Sequence, residues 1–128
     1  MPSLFTRIIQ GEIPCHKVHE DDAYLAFLDI HPINPGHTLV VPKVEIDYIF
    51  DLNEKQLSGL LEFSRHTAAK IKRVIACQRI GIMVAGLEVP HAHIHLVPIV
   101  FTGDLTFAKA RSANAQELES VAAKIRAA

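Results

Sequence analysis

The sequence predicts a fold that combines helices with a set of five β-strands. Short segments rich in β-branched residues are separated by Pro and Gly, which is typical of strands and turns. One long segment and one shorter C-terminal segment have apolar residues at helical spacing. Because 128 residues can bury one core of ordinary size, we expect a single domain spanning residues 1–128.

The first elements are a short helix and a hairpin. Apolar residues recur at helical spacing over Ser3–Gln10, and Gly11 predicts the end of this helix. Lys17–Glu20 and Tyr24–Leu28 flank two adjacent aspartates, which predicts two strands joined by a tight turn.

The middle of the chain predicts a buried strand and a long helix. His37–Val41 is rich in β-branched residues and is predicted as a strand that ends at Pro42. From Asn53 to Ala76, apolar residues recur every three and four positions, tracing one face of an amphipathic helix. Asp51 or Asn53 is expected to cap it.

Two strands and a helix complete the predicted set. Ile80–Ala85 and His91–Val97 have strand character, and Pro98 is expected to close the second. Residues 100–112 are predicted as loop. After a possible cap at Asn114, a terminal helix is predicted from the apolar spacing of Leu118, Val121, Ala122 and Ile125.

The composition excludes several classes of protein. With 49% hydrophobic and 21% charged residues and a formal net charge of -1, the chain does not resemble a basic nucleic-acid binder. No apolar run approaches the ~20 residues that cross a bilayer, and no secretory signal is apparent. We therefore expect no nucleic-acid or membrane partner and a cytoplasmic location. Cys15 and Cys77 lie far apart and are expected to be reduced thiols.

Three alternate histidines, His91, His93 and His95, occupy the last predicted strand. Alternate side chains share a face, so the imidazoles point to one side and the small and aliphatic residues between them to the other. One such histidine alone is more typical of a half-buried structural residue. Imidazole titrates near ~6.5, so at neutral pH it can act as a nucleophile or a proton carrier. The run therefore predicts a catalytic site.

A metal site is the competing interpretation, because neutral imidazole is the commonest zinc ligand. Two ligands from the run are feasible. On a straight strand, however, His91 and His95 lie roughly 13 Å apart at ~3.3 Å per residue, whereas zinc needs each nitrogen within ~2.1 Å. All three can bind one ion only if the strand bends strongly, and a metal-dependent protein stays open as an alternative.

The chain resembles the histidine-triad (HIT) family, whose defining strand alternates three histidines with hydrophobic residues. The resemblance covers residues 4 to 98. The fragments that carry it are Ile8–Pro14, Glu20–Asp22, Ala26–Ile30, Pro35–Lys43 and His91–Val97. It implies the α+β HIT fold, in which a five-stranded antiparallel sheet packs against a long helix, and two subunits join their sheets into a homodimer.

The resemblance also implies covalent catalysis without a cofactor. His93 would attack the α-phosphorus of a nucleotide conjugate, and water or another acceptor would resolve the nucleotidyl-histidine. His95 would contact the phosphate. His37 and His91 would support the cluster and fix the tautomer of His93.

A purine nucleotide substrate, with a product such as AMP, follows from the same resemblance. Asp29 would accept hydrogen bonds from the ribose hydroxyls, since one carboxylate can bind both. Apolar side chains would form the slot for the base: Leu4, Phe5, Ile8, Phe27 and Ile30. The alternative is that Asp29 is a turn residue and that the apolar set belongs to the core.

The sequence departs from the family just before the histidine run. Leu87 stands where many members have a Gln on the leaving-group side, and Glu88 stands where they have a small hydroxyl. Because a carboxylate repels polyphosphate, we expect Glu88 to disfavour dinucleoside polyphosphates and to tolerate neutral or cationic amine leaving groups. These changes keep open the alternative of a nucleotide-binding module with negligible turnover.

A second departure concerns metal binding. Some members bind structural zinc through an N-terminal Cys-x-x-Cys pair and a histidine after the Pro-Lys segment, but Ser3, Thr6 and Glu45 occupy those places here. We therefore expect no zinc. The favoured function is hydrolysis or transfer of a nucleoside monophosphate from purine phosphoramidates or related conjugates.

Overall fold

The computed structural model describes residues 1–128 as one five-stranded sheet with three α-helices. The strands are β1 (Lys17–Glu20), β2 (Tyr24–Leu28), β3 (Thr38–Pro42), β4 (Arg79–Met83) and β5 (Ile94–Ile99). The helices are α1 (Leu4–Ile9), α2 (Glu54–Val74) and α3 (Ala115–Ala127). The order across the sheet is β1-β2-β3-β5-β4, and all neighbouring strands are antiparallel. The expected α+β fold is confirmed.

The sheet carries a hydrophobic core on each face. The larger core packs strand residues such as Val40 against Leu60 of α2 and Ile125 of α3. The smaller core packs Phe27 and Leu39 against α1. Because Leu39 and Val40 are consecutive in β3, they point to opposite faces, and α1 and α2 therefore cover opposite sides of the sheet.

The three helices begin at side-chain caps. Asn53 accepts a hydrogen bond from the backbone N–H of Gln56, whose side chain accepts from the backbone N–H of Asn53 in return. Asn114 caps α3, as predicted, and Ser3 caps α1. Since α1 has only six residues, contacts with the rest of the protein must hold it in place.

None of the three helices combines the length and the apolar character that crossing a bilayer requires.

The predicted hairpin of β1 and β2 is confirmed with the bounds given above. Two other strands differ in their ends. β3 begins one residue later than predicted and includes Pro42, which pairs with Tyr24. β4 covers Arg79–Met83 rather than Ile80–Ala85, because its pairing with β5 runs only from Arg79 opposite Ile99 to Met83 opposite His95.

The predicted strand over His91–Val97 is wrong at both ends, because β5 covers Ile94–Ile99. Before β5, the backbone N–H of Ala92 bonds to the carbonyl of Ile46 at 2.7 Å instead of joining the sheet. At the other end, Pro98 lies within the strand. β3 pairs with β5 only as far as Leu96, and the backbone carbonyl of Pro98 faces that open side, where it accepts from Asn34. The pairing of Pro98 with Ile80 of β4 therefore does not need the N–H that proline lacks.

The predicted loop over residues 100–112 contains two short 3-10 turns, Thr102–Asp104 and Phe107–Lys109. The buried carboxylate of Asp104 fixes the first turn by accepting hydrogen bonds from the backbone N–H of Val100 at 2.8 Å and of Phe101 at 3.0 Å. It also pairs with Lys109. These contacts hold Phe107 near the histidine run.

The entry into β3 depends on Gly36. Its φ of +93° lies in the left-handed region, and a Cβ there would come within 3.0 Å of Ile75 and 3.2 Å of Pro98. Glycine therefore allows the turn that places His37 against β5.

Candidate active site

The structure brings together the four histidines expected to be catalytic. His95 is paired with Leu39 of β3, so it lies on the sheet face that α1 partly covers. The ring centroids of His93 and His95 lie 5.0 Å apart, and those of His37 and His95 lie 5.2 Å apart. The exposed fraction of all four residues, His91 included, is 7% or less. The cluster is therefore almost fully shielded from solvent.

The residues between the histidines point to the opposite face of the sheet. Ala92, Ile94 and Leu96 all belong to the larger core against α2. The alternation expected from the sequence thus holds, although the first two histidines precede the strand.

Burial keeps three of the rings uncharged at neutral pH. Loss of hydration lowers the pKa of His37 to about 4 and that of His95 to about 4, in the second case aided by the neighbouring His37. Burial also lowers the pKa of His91, against the opposing effect of the Pro42 carbonyl. A neutral imidazole carries one N–H, so the fixed partners of each ring define where its proton sits.

The pair of His37 and His95 has one consistent proton arrangement. The backbone N–H of Ile33 donates to Nδ1 of His37 at 3.0 Å, so the ring proton of His37 is on Nε2. That Nε2–H donates to Nδ1 of His95 at 2.9 Å. His95 therefore carries its own proton on Nε2.

His93 has the opposite tautomer. Its Nδ1 lies 2.7 Å from the carbonyl oxygen of His91, which can only accept, so Nδ1 carries the proton. In the neutral ring, Nε2 then has a free lone pair. Phe5 of α1 packs edge-to-face on this ring with centroids 5.0 Å apart. The neutral His93 ring thus presents an unprotonated nitrogen next to the proton-bearing ring of His95.

His91 links the run to the rest of the fold. Its Nε2–H donates to the carbonyl of Pro42 at 2.8 Å, which leaves Nδ1 as an acceptor. The hydroxyl of Ser3 lies 2.8 Å from that Nδ1. His91 is thus held at both ring nitrogens and is fully buried.

Asp29 lies beside the histidine pair rather than in a solvated turn alone. One carboxylate oxygen accepts from the backbone N–H of His31 at 2.9 Å. The other is 3.6 Å from Nε2 of His37 and 4.0 Å from Nδ1 of His95. With a side chain 20% exposed, the carboxylate can receive hydrogen bonds from a ligand.

Asp29, His37 and His95 are also close enough to hold a metal ion, a trio the sequence did not predict. The proton arrangement opposes this role. Because Nδ1 of His37 accepts from Ile33, a metal on Nε2 would need the ring to lose its last proton. The trio is therefore better described as a hydrogen-bonded chain than as a metal centre.

The three residues at the position where we expect no zinc form a hydrogen-bonded cluster. The hydroxyls of Ser3 and Thr6 lie 2.8 Å and 3.4 Å from Nδ1 of His91, and Glu45 accepts hydrogen bonds from the backbone N–H of Ser3 and the hydroxyl of Thr6. Two neutral hydroxyls do not supply the thiolate or imidazole ligands typical of structural zinc. This donor set does not fit zinc, and the absence of zinc stays a prediction.

The apolar residues assigned to the base slot divide into two groups. Phe5 and Phe27 are buried, at 4% and 3% exposure, and Ile8 packs against their core. Leu4 and Ile30 are exposed, at 45% and 57%. The buried members are core residues, and the exposed ones are available to a ligand.

Leu87 and Glu88, the two residues that differ from the family pattern just before the histidine run, lie at the surface. Leu87 is 93% exposed, and Glu88 is exposed next to it in the loop between β4 and β5. Neither side chain packs on the histidines within this chain, so any effect they have must act on a bound ligand or a partner.

A cleft of about 540 Å³ opens beside Asp29 and His37. Its far wall includes Arg111 and Ser112, which the sequence did not single out. Asp29 and His37 line this cleft, whereas none of the apolar residues assigned to the base slot does. Its Lys109 is paired with Asp104.

The sequence did not predict two sets of residues at the site. Phe107 packs edge-to-face on His95 with centroids 5.0 Å apart, and no local pattern indicates this contact. Ser3, Thr6 and Glu45 were considered only as replacements for zinc ligands. The Ser3-x-x-Thr6 spacing at the start of a helix could have indicated a cap, but not its contact with His91.

Comparisons of the sequence with known proteins identify its family. The HIT domain family matches residues 10–101, which include all four histidines. An uncharacterized HIT-like protein of Borreliella burgdorferi is 37% identical over 102 residues, which cover 74% of this chain and 73% of the relative. The adenosine 5'-monophosphoramidase hnt1 of Schizosaccharomyces pombe is 31% identical over 103 residues, covering 77% of this chain and 74% of that protein.

Similarity to solved structures extends over nearly the whole chain. The crystal structure of a Hit-like protein involved in cell-cycle regulation from Bartonella henselae matches with a TM-score of 0.85 and 31% identity. The match covers 98% of this chain and 95% of the Bartonella chain. The arrangement of sheet and helices is thus shared with a solved relative.

Proposed function

The chain belongs to the HIT domain family, and from that premise we propose that it hydrolyses or transfers nucleoside monophosphates. The proposed substrates are purine nucleotide conjugates such as nucleoside phosphoramidates. His93 attacks their α-phosphorus, and a product such as AMP is released. No cofactor is needed for this chemistry.

One hydrogen bond carries the proposal, the 2.7 Å contact from Nδ1–H of His93 to the carbonyl of His91. It keeps the proton on one nitrogen and leaves the lone pair on the other. When Nε2 bonds to phosphorus, the ring becomes positively charged, and the carbonyl stabilises its Nδ1–H. This arrangement supports His93 as a nucleophile.

The first step forms the bond from Nε2 of His93 to phosphorus and breaks the bond from phosphorus to the leaving group. The leaving group departs with the electron pair and needs a proton. Solvent water supplies it and becomes hydroxide, while the Nε2–H of His95, which is the only proton of that neutral ring, stays in place and donates a hydrogen bond to the reacting phosphoryl group.

The second step releases the nucleotide. The oxygen of water attacks phosphorus, and the N–P electron pair returns to Nε2 of His93. The proton of the attacking water neutralises the hydroxide left by the first step, so water is the net reactant and both rings end in their starting states. With an alcohol or amine acceptor in place of water, the same step is a transfer.

Recognition of the nucleotide is assigned to Asp29 and the apolar residues beside it. The free oxygen of Asp29 is suited to the ribose hydroxyls. The exposed Leu4 and Ile30 contact the purine base, and Phe5 and Phe27 support them from beneath. The monophosphoramidase activity in the name of the S. pombe relative favours phosphoramidates as the substrate class.

A homodimer is part of the proposal, with β4 as the contact. β4 is an edge of the sheet, and Ile82 on it is 50% exposed. The opposite edge, β1, has the polar sequence Lys-Val-His-Glu and packs against α3. An apolar unpaired edge favours pairing with a second strand. Analytical ultracentrifugation should find a dimer for the wild type and a monomer for Ile82→Lys; a monomeric wild type would refute this contact.

The test of the enzymatic proposal is the rate of AMP release from adenosine phosphoramidate. His93→Ala should lower kcat/KM by about 10³-fold or more, since it removes a covalent nucleophile. His66→Ala, which removes an exposed histidine of α2, should match the wild type. A wild type that binds AMP without releasing it from the conjugate would instead favour a nucleotide-binding module.

A further inference from the structure

The N-terminal residues around α1 form a hydrogen-bonded cluster that reaches the histidine run. We call it the α1 clamp; it consists of Ser3, Thr6 and Glu45. Ser3 is buried, at 5% exposure, and its hydroxyl lies 2.8 Å from Nδ1 of His91. Its backbone N–H donates to Oε1 of Glu45 at 2.7 Å. The clamp therefore joins the start of α1, the loop after β3 and His91, two residues before the proposed nucleophile His93.

The hydrogen atoms of the clamp can be assigned. The hydroxyl of Thr6 donates to Glu45 at 2.5 Å, because a carboxylate can only accept. The hydroxyl of Ser3 accepts from the backbone N–H of Thr6 at 3.0 Å. Its own proton points to Nδ1 of His91, at 2.8 Å, in preference to the more distant Thr6 hydroxyl, at 3.2 Å. Each N–H and hydroxyl group of the clamp described above thus has an assigned acceptor.

The clamp acts on His93 along two routes. Through His91, it fixes the backbone carbonyl that accepts from Nδ1–H of His93. Through α1, it fixes Phe5, whose ring packs on His93 and also lies 5.8 Å from the ring of His91. With only six residues, α1 is too short to keep this position by itself.

We propose that Ser3, supported by Thr6 and Glu45, is a positioning residue that holds His91 and thereby sets the tautomer and orientation of His93. The inference rests on the proposed function, because it assigns the clamp to the same nucleophile. It adds residues that do not touch substrate. Loss of the Ser3 hydroxyl lets the His91 ring and its carbonyl shift, and part of the His93 population moves its proton to Nε2, where it blocks attack.

The chain offers a matched pair of variants at Ser3. Ser3→Gly removes the hydroxyl and keeps the backbone N–H to Glu45, and glycine is nearly as good as serine at a helix N-cap. Ser3→Thr keeps a hydroxyl. Asn53→Ala removes the cap of α2 and controls for the loss of a cap as such, since Asn53 lies outside the cluster.

The kinetic experiment measures kcat and KM for AMP release from adenosine phosphoramidate. Ser3→Gly should lower kcat about tenfold, the value of one ordinary hydrogen bond, with KM within about twofold of the wild type. Ser3→Thr should recover most of kcat, and Asn53→Ala should keep it. A rise in KM with kcat unchanged would overturn the inference, because it would mean that Ser3 only docks α1 against the nucleotide.

A second readout needs no turnover. Nitrogen-15 NMR of the histidine rings should find Nδ1 of His93 protonated and Nε2 bare in the wild type, with a mixture of tautomers in Ser3→Gly. If the nitrogen-15 chemical shifts of the His93 ring are the same in Ser3→Gly as in the wild type, the inference is overturned, whatever the values of kcat. If the wild type releases no AMP, the proposed function fails, and the NMR comparison alone decides the role of the clamp.

Discussion

Nε2 of His37 lies 2.9 Å from Nδ1 of His95, and this contact fixes the direction of the protons in the cluster. His37 can donate there because its Nδ1 already accepts from the backbone N–H of Ile33. His95 consequently has its proton on Nε2, whereas the neutral His93 has its lone pair on Nε2. Two adjacent rings of the same residue type are thus prepared for opposite tasks, one as hydrogen-bond donor and one as nucleophile.

The first prediction concerns His37. His37→Ala leaves Nδ1 of His95 and the backbone N–H of Ile33 without partners inside the protein and opens a cavity. We expect the free energy of unfolding to fall by about 2–4 kcal/mol and kcat to fall at least about tenfold. Urea denaturation and steady-state kinetics measure the two effects. His31→Ala, at an exposed neighbour, should change neither stability nor kcat, and an unchanged kcat in His37→Ala would contradict the assigned proton chain.

The second prediction concerns pH. Burial lowers the pKa of His37 and of His95 from 6.5 to about 4, so between these values the unfolded chain binds more protons than the folded one. The free energy of unfolding should therefore fall as the pH drops below about 6.5, by at most about 1.4 kcal/mol per pH unit for each ring.

The carboxylates change the free energy of unfolding only at lower pH. Hydrogen bonds from lysine side chains lower the pKa of Glu20 and of Asp104, so their contribution is lost only as the pH falls through values below about 4.5. Urea titrations between about pH 5 and 6.5 thus separate the histidines from the carboxylates; besides His37 and His95, these histidines include His91 and the half-buried His19, whose pKa values burial also lowers. His66→Gln should keep the slope of the wild type, and a stability that is level across this range would show that the rings are not held neutral by burial.

The third prediction concerns the turn before His37. Gly36→Ala combines a positive φ with a Cβ only 3.0 Å from Ile75, so we expect a loss of about 2–4 kcal/mol. Gly11→Ala has a positive φ but open space and should cost about 1 kcal/mol. Gly103→Ala has neither feature and should be nearly neutral. Thermal unfolding ranks the three variants; equal losses in the first two would show that the contact with Ile75 is unimportant.

The fourth prediction concerns Glu88. Its exposed carboxylate lies in the loop that leads into the histidine run, and it should repel the additional phosphates of a dinucleoside polyphosphate. Glu88→Ser should therefore raise kcat/KM for diadenosine polyphosphates relative to adenosine phosphoramidate. Glu62→Ser changes the charge by the same amount at an exposed position of α2, on the opposite face of the sheet, and serves as the control. If the ratio of the two rates stays the same in Glu88→Ser, this carboxylate does not select the leaving group.

Locally encoded features could be predicted from the sequence. The hairpin of β1 and β2 follows from alternation on both sides of Asp21 and Asp22, and the α3 cap follows from Asn114 in front of a helical pattern. The inward direction of Ile94 and Leu96 also follows from alternation along one strand. Each of these features depends on residues within a few positions of one another.

Features that depend on distant partners could not be predicted. The histidine run leaves the sheet before Ile94 because Ala92 bonds to Ile46 in another loop. Pro98 stays in β5 because β3 has already ended, and its carbonyl accepts instead from the side chain of Asn34 at 2.8 Å. The contact of Ser3 with His91 likewise joins residues far apart in the chain. No local pattern contains this information.

The most direct test of the account is to trap the covalent nucleotidyl intermediate. Wild-type protein mixed with adenosine phosphoramidate and quenched within milliseconds should carry adenylate on one histidine, and peptide mass spectrometry should place it on His93. Treatment of the His93→Ala variant in the same way should give no adduct. Adenylate on another histidine, or rapid AMP release with no adduct at any time, would contradict the assignment of His93 as the nucleophile.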